Sequence, residues 1–161
     1  MKIFLIGMPG AGKSTVGRIL AEKIAYNFID LDGLVEKNSL MFTDELIEKY
    51  GINKFRELET EALQEINEEN VVVSCGGGIV ENRNNKTFMS GLIIYLDVDN
   101  KIIEERLKTD YQRPLLQEYT LDELYTKRFL LYQHFADINI SNNKEINNTV
   151  DSIIQMLEVK K

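Results

Sequence analysis

The stretch Gly7-Met8-Pro9-Gly10-Ala11-Gly12-Lys13-Ser14 decides the fold of this chain. It fits the pattern G-x-x-x-x-G-K-[ST], and its flanks fit as well. Before it, Lys2-Ile3-Phe4-Leu5-Ile6 is a short apolar run that reads as a buried strand. After it, Val16, Ile19, Leu20 and Ile24 recur at helical spacing. A strand, a glycine turn and a helix N-terminus together make an anion cradle, because backbone N–H groups point inward and the helix dipole favours negative charge. Gly10, Ala11, Gly12, Lys13, Ser14 and Thr15 are therefore the candidate phosphate-binding residues. Lys13 is placed to reach the β- and γ-phosphates of a nucleotide, and the Ser14 hydroxyl to hold Mg²⁺. The plain alternative is a glycine turn with an exposed lysine.

Outward from the loop, the pattern repeats strand and helix. Residues 27–30 read as a second strand ending in Asp30, with Asp32 just beyond. Residues 33–68 read as helical, broken near Ser39 and Gly51, with 54–66 strongly amphipathic. Val71-Val72-Val73-Ser74 is a third strand, closed by Cys75 and Gly76-Gly77-Gly78; residues 92–98 are a fourth. Helices are expected at about 100–108, 121–135 and 146–158, a fifth strand at 137–140, and a polar loop interrupted by Pro114 at 109–120. Such alternation implies an α/β fold: three α/β/α layers around a five-stranded parallel sheet, with ligands beyond the carboxyl ends of the strands. All 161 residues are expected to form a single domain, with 109–120 as a mobile lid and about 32–66 as acceptor-binding helices.

Composition narrows the class. A chain of roughly 150 residues buries about 70% of its unfolded surface and needs no covalent staple. The single cysteine, Cys75, excludes an internal disulfide. No run approaches the roughly 18 apolar residues of a membrane helix, and the N-terminal run is too short for a signal peptide. A cytoplasmic protein that contacts neither membrane nor nucleic acid is expected, since the net charge is −7. Only six of the 19 cations are arginines, so these are the residues to test for planar, bidentate contacts.

Several residues could serve an acceptor. Asp30 and Asp32 share a side if the strand extends through both. Two carboxylates there suit water-mediated Mg²⁺ binding and acceptance of a substrate proton; a polar strand end with a helix cap is the alternative. Arg56 has Glu59 three residues on, which can hold its guanidinium; it is either a carboxylate ligand or half of a solvated ion pair. Gly76-Gly77-Gly78 suits close approach of a ligand to the backbone, or a tight turn. Arg113 in the polar loop could bring positive charge to a transferring phosphoryl group. Arg106 and Arg128 lie on expected helices, where surface charge is the ordinary role. His134 reads as a helix-surface residue and Cys75 as a buried thiol with no base beside it.

Taken together, Gly12-Lys13-Ser14-Thr15-x-Gly17-Arg18, Asp30-x-Asp32, Phe55-Arg56, Gly76-Gly77-Gly78, Arg113-Pro114-Leu115-Leu116 and the segment Arg128 to Tyr132 resemble the shikimate kinases, in the nucleoside-monophosphate-kinase-like P-loop group. The resemblance spans essentially the whole chain. It implies transfer of the ATP γ-phosphoryl group to the 3-hydroxyl of shikimate, a step toward aromatic amino acids. It further implies Asp32 as candidate base and Asp30 as a water-mediated Mg²⁺ residue beside Ser14. Arg56, Arg128 and the backbone of Gly77 and Gly78 would bind shikimate. Lys13 and Arg113 would act on the phosphates, with Arg106 against adenine. A monomer is expected. Departures are Leu130 in place of Pro, Ile52 in place of Glu, Ile47 where an aromatic is frequent, and Cys75 where Thr or Leu is usual.

Other acceptors on the same fold remain open, since fold alone does not choose a substrate. Gluconate or a nucleoside monophosphate could also meet Arg56 and Arg128, although Asp32 would repel a nucleotide phosphate. A third possibility is a regulatory module that binds ATP without turnover. A GTPase is set aside, because Asn85-Lys86-Thr87-Phe88 and Asn143-Lys144-Glu145-Ile146 both lack the Asp of N-K-x-D.

Overall fold

The computed structural model describes residues 1–108 and 120–159. Its strands are short, the three central ones mainly apolar and the two edge strands half polar: β1 (Lys2–Ile6), β2 (Asn27–Asp30), β3 (Val71–Ser74), β4 (Leu92–Asp97) and β5 (Ile138–Ser141). They form one parallel sheet in the order β2-β3-β1-β4-β5. Ile3 pairs with Val72 on one side and Leu92 on the other; Asn27 pairs with Val71, and Ile94 with Ile138. Ile3 to Ile6, Val71 to Val73 and Leu92 to Leu96 are all buried. Unbroken burial rather than alternation is what helices on both faces of a parallel sheet require.

Helices α1 (Lys13–Ile24) and α7 (Ile146–Val159) pack together. Gly17 lets α1 approach β2 closely, for a Cβ there would lie 2.7 Å from the Phe28 ring. The remaining helices are α2 (Leu31–Ser39), α3 (Thr43–Tyr50), α4 (Ile52–Glu65), α5 (Asn100–Leu107) and α6 (Leu121–Phe135). Gly51 (φ 89°) separates α3 from α4, as its position in the sequence suggested. Residues 79–88, which carry no clear periodicity, form two short 3₁₀ turns, Ile79–Glu81 and Arg83–Phe88. The first lies against α4 and α6. No helix among the described residues is long and apolar enough to cross a membrane.

The central strand β1 delivers the glycine loop to the carboxyl edge of the sheet, and its neighbour β3 delivers the triple glycine to the same edge. Chain connections leave the β1–β3 pair in opposite directions, which is where ligands bind in open parallel sheets. The expected lid, including Arg113, lies outside the described residues apart from Thr120.

Candidate active site

The phosphate side is built by long-range contacts. Gly12, directly before α1, has φ 90°, a conformation L side chains rarely adopt, and a Cβ there would lie 2.6 Å from Asn142 Nδ2. Asn142 is wholly buried beyond β5. Its Nδ2 donates to the Ala11 carbonyl at 2.7 Å, and its Oδ1 accepts from Thr149. Arg106 donates to the Gly10 carbonyl (3.3 Å) and the Asn142 carbonyl (2.9 Å). Lys13 Nζ is buried and donates to the carbonyls of Gly7 and Met8, while Ser14 Oγ lies 3.1 Å from Ser74 Oγ. The loop lines one side of a cavity of about 300 Å³; Asp30, Asp32 and Gly76-Gly77 line the other.

Asp30 and Asp32 reach this cavity by a route different from the expected one. The strand does not run through both: β2 ends at Asp30 (φ −93°, ψ 114°), and Asp32 is already in the first turn of α2. Leu31, wholly buried, starts that helix. An acidic residue in a first turn is stabilised by the helix dipole, so the chain turns here instead of extending. The two carboxylates converge on one cavity without sharing a strand face.

Beside them, the triple glycine sits within a ring of charged side chains. A Cβ on Gly76 would lie 2.8 Å from both Asp32 Oδ1 and Glu59 Oε2; one on Gly77 would lie 3.0 Å from Pro9 and 3.1 Å from Arg128 Nη1; one on Gly78 would fall inside the Arg56 guanidinium. Gly76 and Gly78 thus admit a side chain only if these charged groups shift, while Gly77 is merely tight. Arg56 Nη1 donates to Glu59 Oε1 at 3.2 Å, as the three-residue spacing predicted. Arg128 is 1% exposed and so is no surface charge. Its Nη2 donates to Glu81 Oε2 at 2.9 Å, whereas Nε and Nη1 are buried without a hydrogen-bond partner. Buried donors left unmade are costly, and an incoming acceptor such as a carboxylate would satisfy them. Tyr132, one turn on, donates its hydroxyl to the Gly77 carbonyl at 2.6 Å.

The charges shift one another. Glu59 is fully buried, and burial pushes its carboxyl up to about 7; the Arg56 guanidinium opposes this and Asp32 reinforces it. Burial likewise raises the Cys75 thiol far above its ordinary range, with Lys13 opposing, which makes it unreactive. His134 is exposed on α6, as expected.

Gly10, Gly12 to Thr15, Asp30, Asp32 and Gly77 therefore line one cavity, Arg128 and Arg56 stand against Gly77 and Gly78, and Arg106 braces the loop from behind. Leu130 lies in the body of α6, 76% exposed, and the helix runs through it. Neither Glu81, which contacts Arg56 and Arg128, nor Asn142 as the brace of the loop was anticipated from sequence. The available signal was indirect: two inward arginines need a carboxylate between them.

The strand order and the loop on its central strand place this chain among the P-loop kinases, and a cavity of this size suits a small-molecule acceptor. A family model described as "Shikimate kinase" matches residues 9–158. Similar proteins include shikimate kinases of Sulfurihydrogenibium sp., 40% identical over 148 residues (89% of each chain), and of Clostridium beijerinckii, 36% identical over 160 residues (97% of this chain, 94% of that protein). Among solved structures, shikimate kinase from Acinetobacter baumannii in complex with shikimate superposes with a TM-score of 0.94 at 33% identity, covering 99% of this chain and 94% of that one. The chain belongs to the shikimate kinase family.

Proposed function

We propose that this enzyme transfers the γ-phosphoryl group of ATP to the 3-hydroxyl of shikimate, giving shikimate 3-phosphate and ADP. The observation that carries the acceptor side is Arg128: a buried guanidinium whose Nε and Nη1 have no partner, facing the glycine triplet beside the phosphate loop. A carboxylate-bearing acceptor completes it. Arg56 supplies the second cation, and the backbone of Gly77 and Gly78 lets the substrate lie close.

With shikimate held there, its hydroxyl faces the loop. Asp32 accepts the hydroxyl proton as the oxygen attacks the γ-phosphorus, and the bond from that phosphorus to the β,γ-bridging oxygen breaks, releasing ADP. Lys13 leaves the carbonyls of Gly7 and Met8 for the phosphate oxygens, and the loop N–H groups stabilise the charge that develops. Arg113 joins them from the lid. Mg²⁺, when bound with ATP, would supply neutralising positive charge at the phosphates. Ser14 Oγ and Asp30 are hard oxygen donors on the same cavity, and one or two protein oxygens with water and phosphate suffice for that ion. Arg106 would pack against adenine. The enzyme acts as a monomer in the cytoplasm.

The test is ADP release from ATP and Mg²⁺ with shikimate, gluconate and nucleoside monophosphates assayed in parallel. Turnover with shikimate alone is expected. Turnover with another acceptor would keep the phosphate site and overturn the acceptor assignments; tight ATP binding with no turnover would leave only a nucleotide-binding module.

A further inference from the structure

Arg56 projects from α4 and Arg128 from α6, two helices joined through the turn between them rather than by consecutive chain. Like charges brought this close repel, and Glu59, which holds Arg56 within α4, makes no hydrogen bond to Arg128. Glu81 does touch both. Its Oε2 accepts from Arg56 Nη2 at 3.2 Å and from Arg128 Nη2 at 2.9 Å. Its Oε1 pairs with Lys127 Nζ at 2.7 Å. We propose that Glu81 is a positioning residue of the acceptor site, a carboxylate clamp that fixes the spacing of Arg56 and Arg128 before the substrate's own carboxylate arrives. This rests on the assignment of those two arginines as carboxylate ligands.

Three observations support a clamp over a mere surface pair. First, Glu81 is rigidly mounted. It closes the 3₁₀ turn after the triple glycine, its N–H donates to the Gly78 carbonyl at 3.0 Å, and Ile79 and Val80 before it are wholly buried. Second, it uses the donors the substrate does not need. Both contacts go to Nη2 atoms, and Arg128 Nε and Nη1 remain for a ligand. A carboxylate that merely took the substrate's place would occupy those two. Third, the groups facing it, Arg56, Lys127 and Arg128, are all cations. Burial alone would raise its carboxyl, but the Lys127 hydrogen bond and these charges hold it below the usual range, so the clamp is ionised at neutral pH.

The experiment is steady-state ADP release at saturating ATP and Mg²⁺ for Glu81→Ala, Glu81→Gln and Arg128→Lys, with shikimate and then ATP varied. Glu81→Ala should raise the shikimate KM about tenfold, since small misplacements of a positioning group are expensive, with kcat changed less than about threefold and the ATP KM unmoved. Glu81→Gln keeps an oxygen acceptor and should raise the shikimate KM less; it carries the test alone should the alanine variant not fold. An unchanged or lowered shikimate KM in the Glu81 variants, or an equal rise in the ATP KM, overturns the clamp. Arg128→Lys separates the two ideas. An unchanged shikimate KM there removes the carboxylate site itself, whereas a raised one beside unaffected Glu81 variants removes the clamp alone.

Discussion

Replacing Gly78 with alanine adds one methyl group, and its effect follows from where that methyl must go. The backbone there (φ −96°, ψ 10°) suits any residue, so no conformational strain enters. The added Cβ instead falls within the Arg56 guanidinium, closer than any real Cβ contact. Restoring ordinary separation pushes the guanidinium back by more than about 1 Å. Its bonds to Glu59 and Glu81, each 3.2 Å now, are then strained or lost. A displacement of that size in a positioning group costs up to about 10²-fold in catalytic efficiency. Each factor of ten is about 1.4 kcal/mol. Gly78→Ala should therefore raise the shikimate KM between about tenfold and 10²-fold, with the ATP KM unaltered. The assay is coupled ADP release for Gly78→Ala, Arg56→Ala and the double variant. Once Arg56 is gone the methyl has nothing to displace, so the double variant should match Arg56→Ala. Additive losses would refute the idea that Gly78 exists to admit this guanidinium.

Asp32→Asn should lower kcat by about 10² or more while ATP binding, followed by calorimetry, persists; undiminished turnover would remove Asp32 as the base. Glu59 gives a pH signature. Its folded carboxyl near 7 is raised from 4.5, so its stabilising contribution is complete below about 4.5 and is lost as pH rises through 7. The wild type should lose melting temperature between pH 5 and 8 relative to Glu59→Gln; parallel curves would contradict the shift. Asn142→Ala removes the brace on Ala11 and should raise the ATP KM about tenfold with the shikimate KM little changed, a pattern that comparing the two titration series will show or deny.

What could be read locally was read correctly. The glycine loop, the helix after it and the Arg56–Glu59 pair all follow from residues within a turn or two of one another. So does the third strand running into three glycines. How Asp30 and Asp32 converge was not legible, because side-chain alternation holds only while a strand lasts, and the buried Leu31 that starts the helix looks like any other apolar residue in a list. Glu81 was invisible for another reason. Its partners lie 25 and 47 residues away, and only packing of α4 and α6 on one short turn brings them together. Arg128 shows the same limit in reverse: its position on a helix suggested solvent, and burial came from the elements around it.

The bond from Asn142 to Ala11 spans 131 residues. The phosphate loop precedes by that distance the side chain that braces it, which comes with Thr149 and the helix packed against α1. A nascent chain ending before residue 142 carries the whole nucleotide motif without its support. The loop is thus expected to take its braced shape only once β5 and α7 dock, and a product cut short before residue 142 should hold a nucleotide poorly.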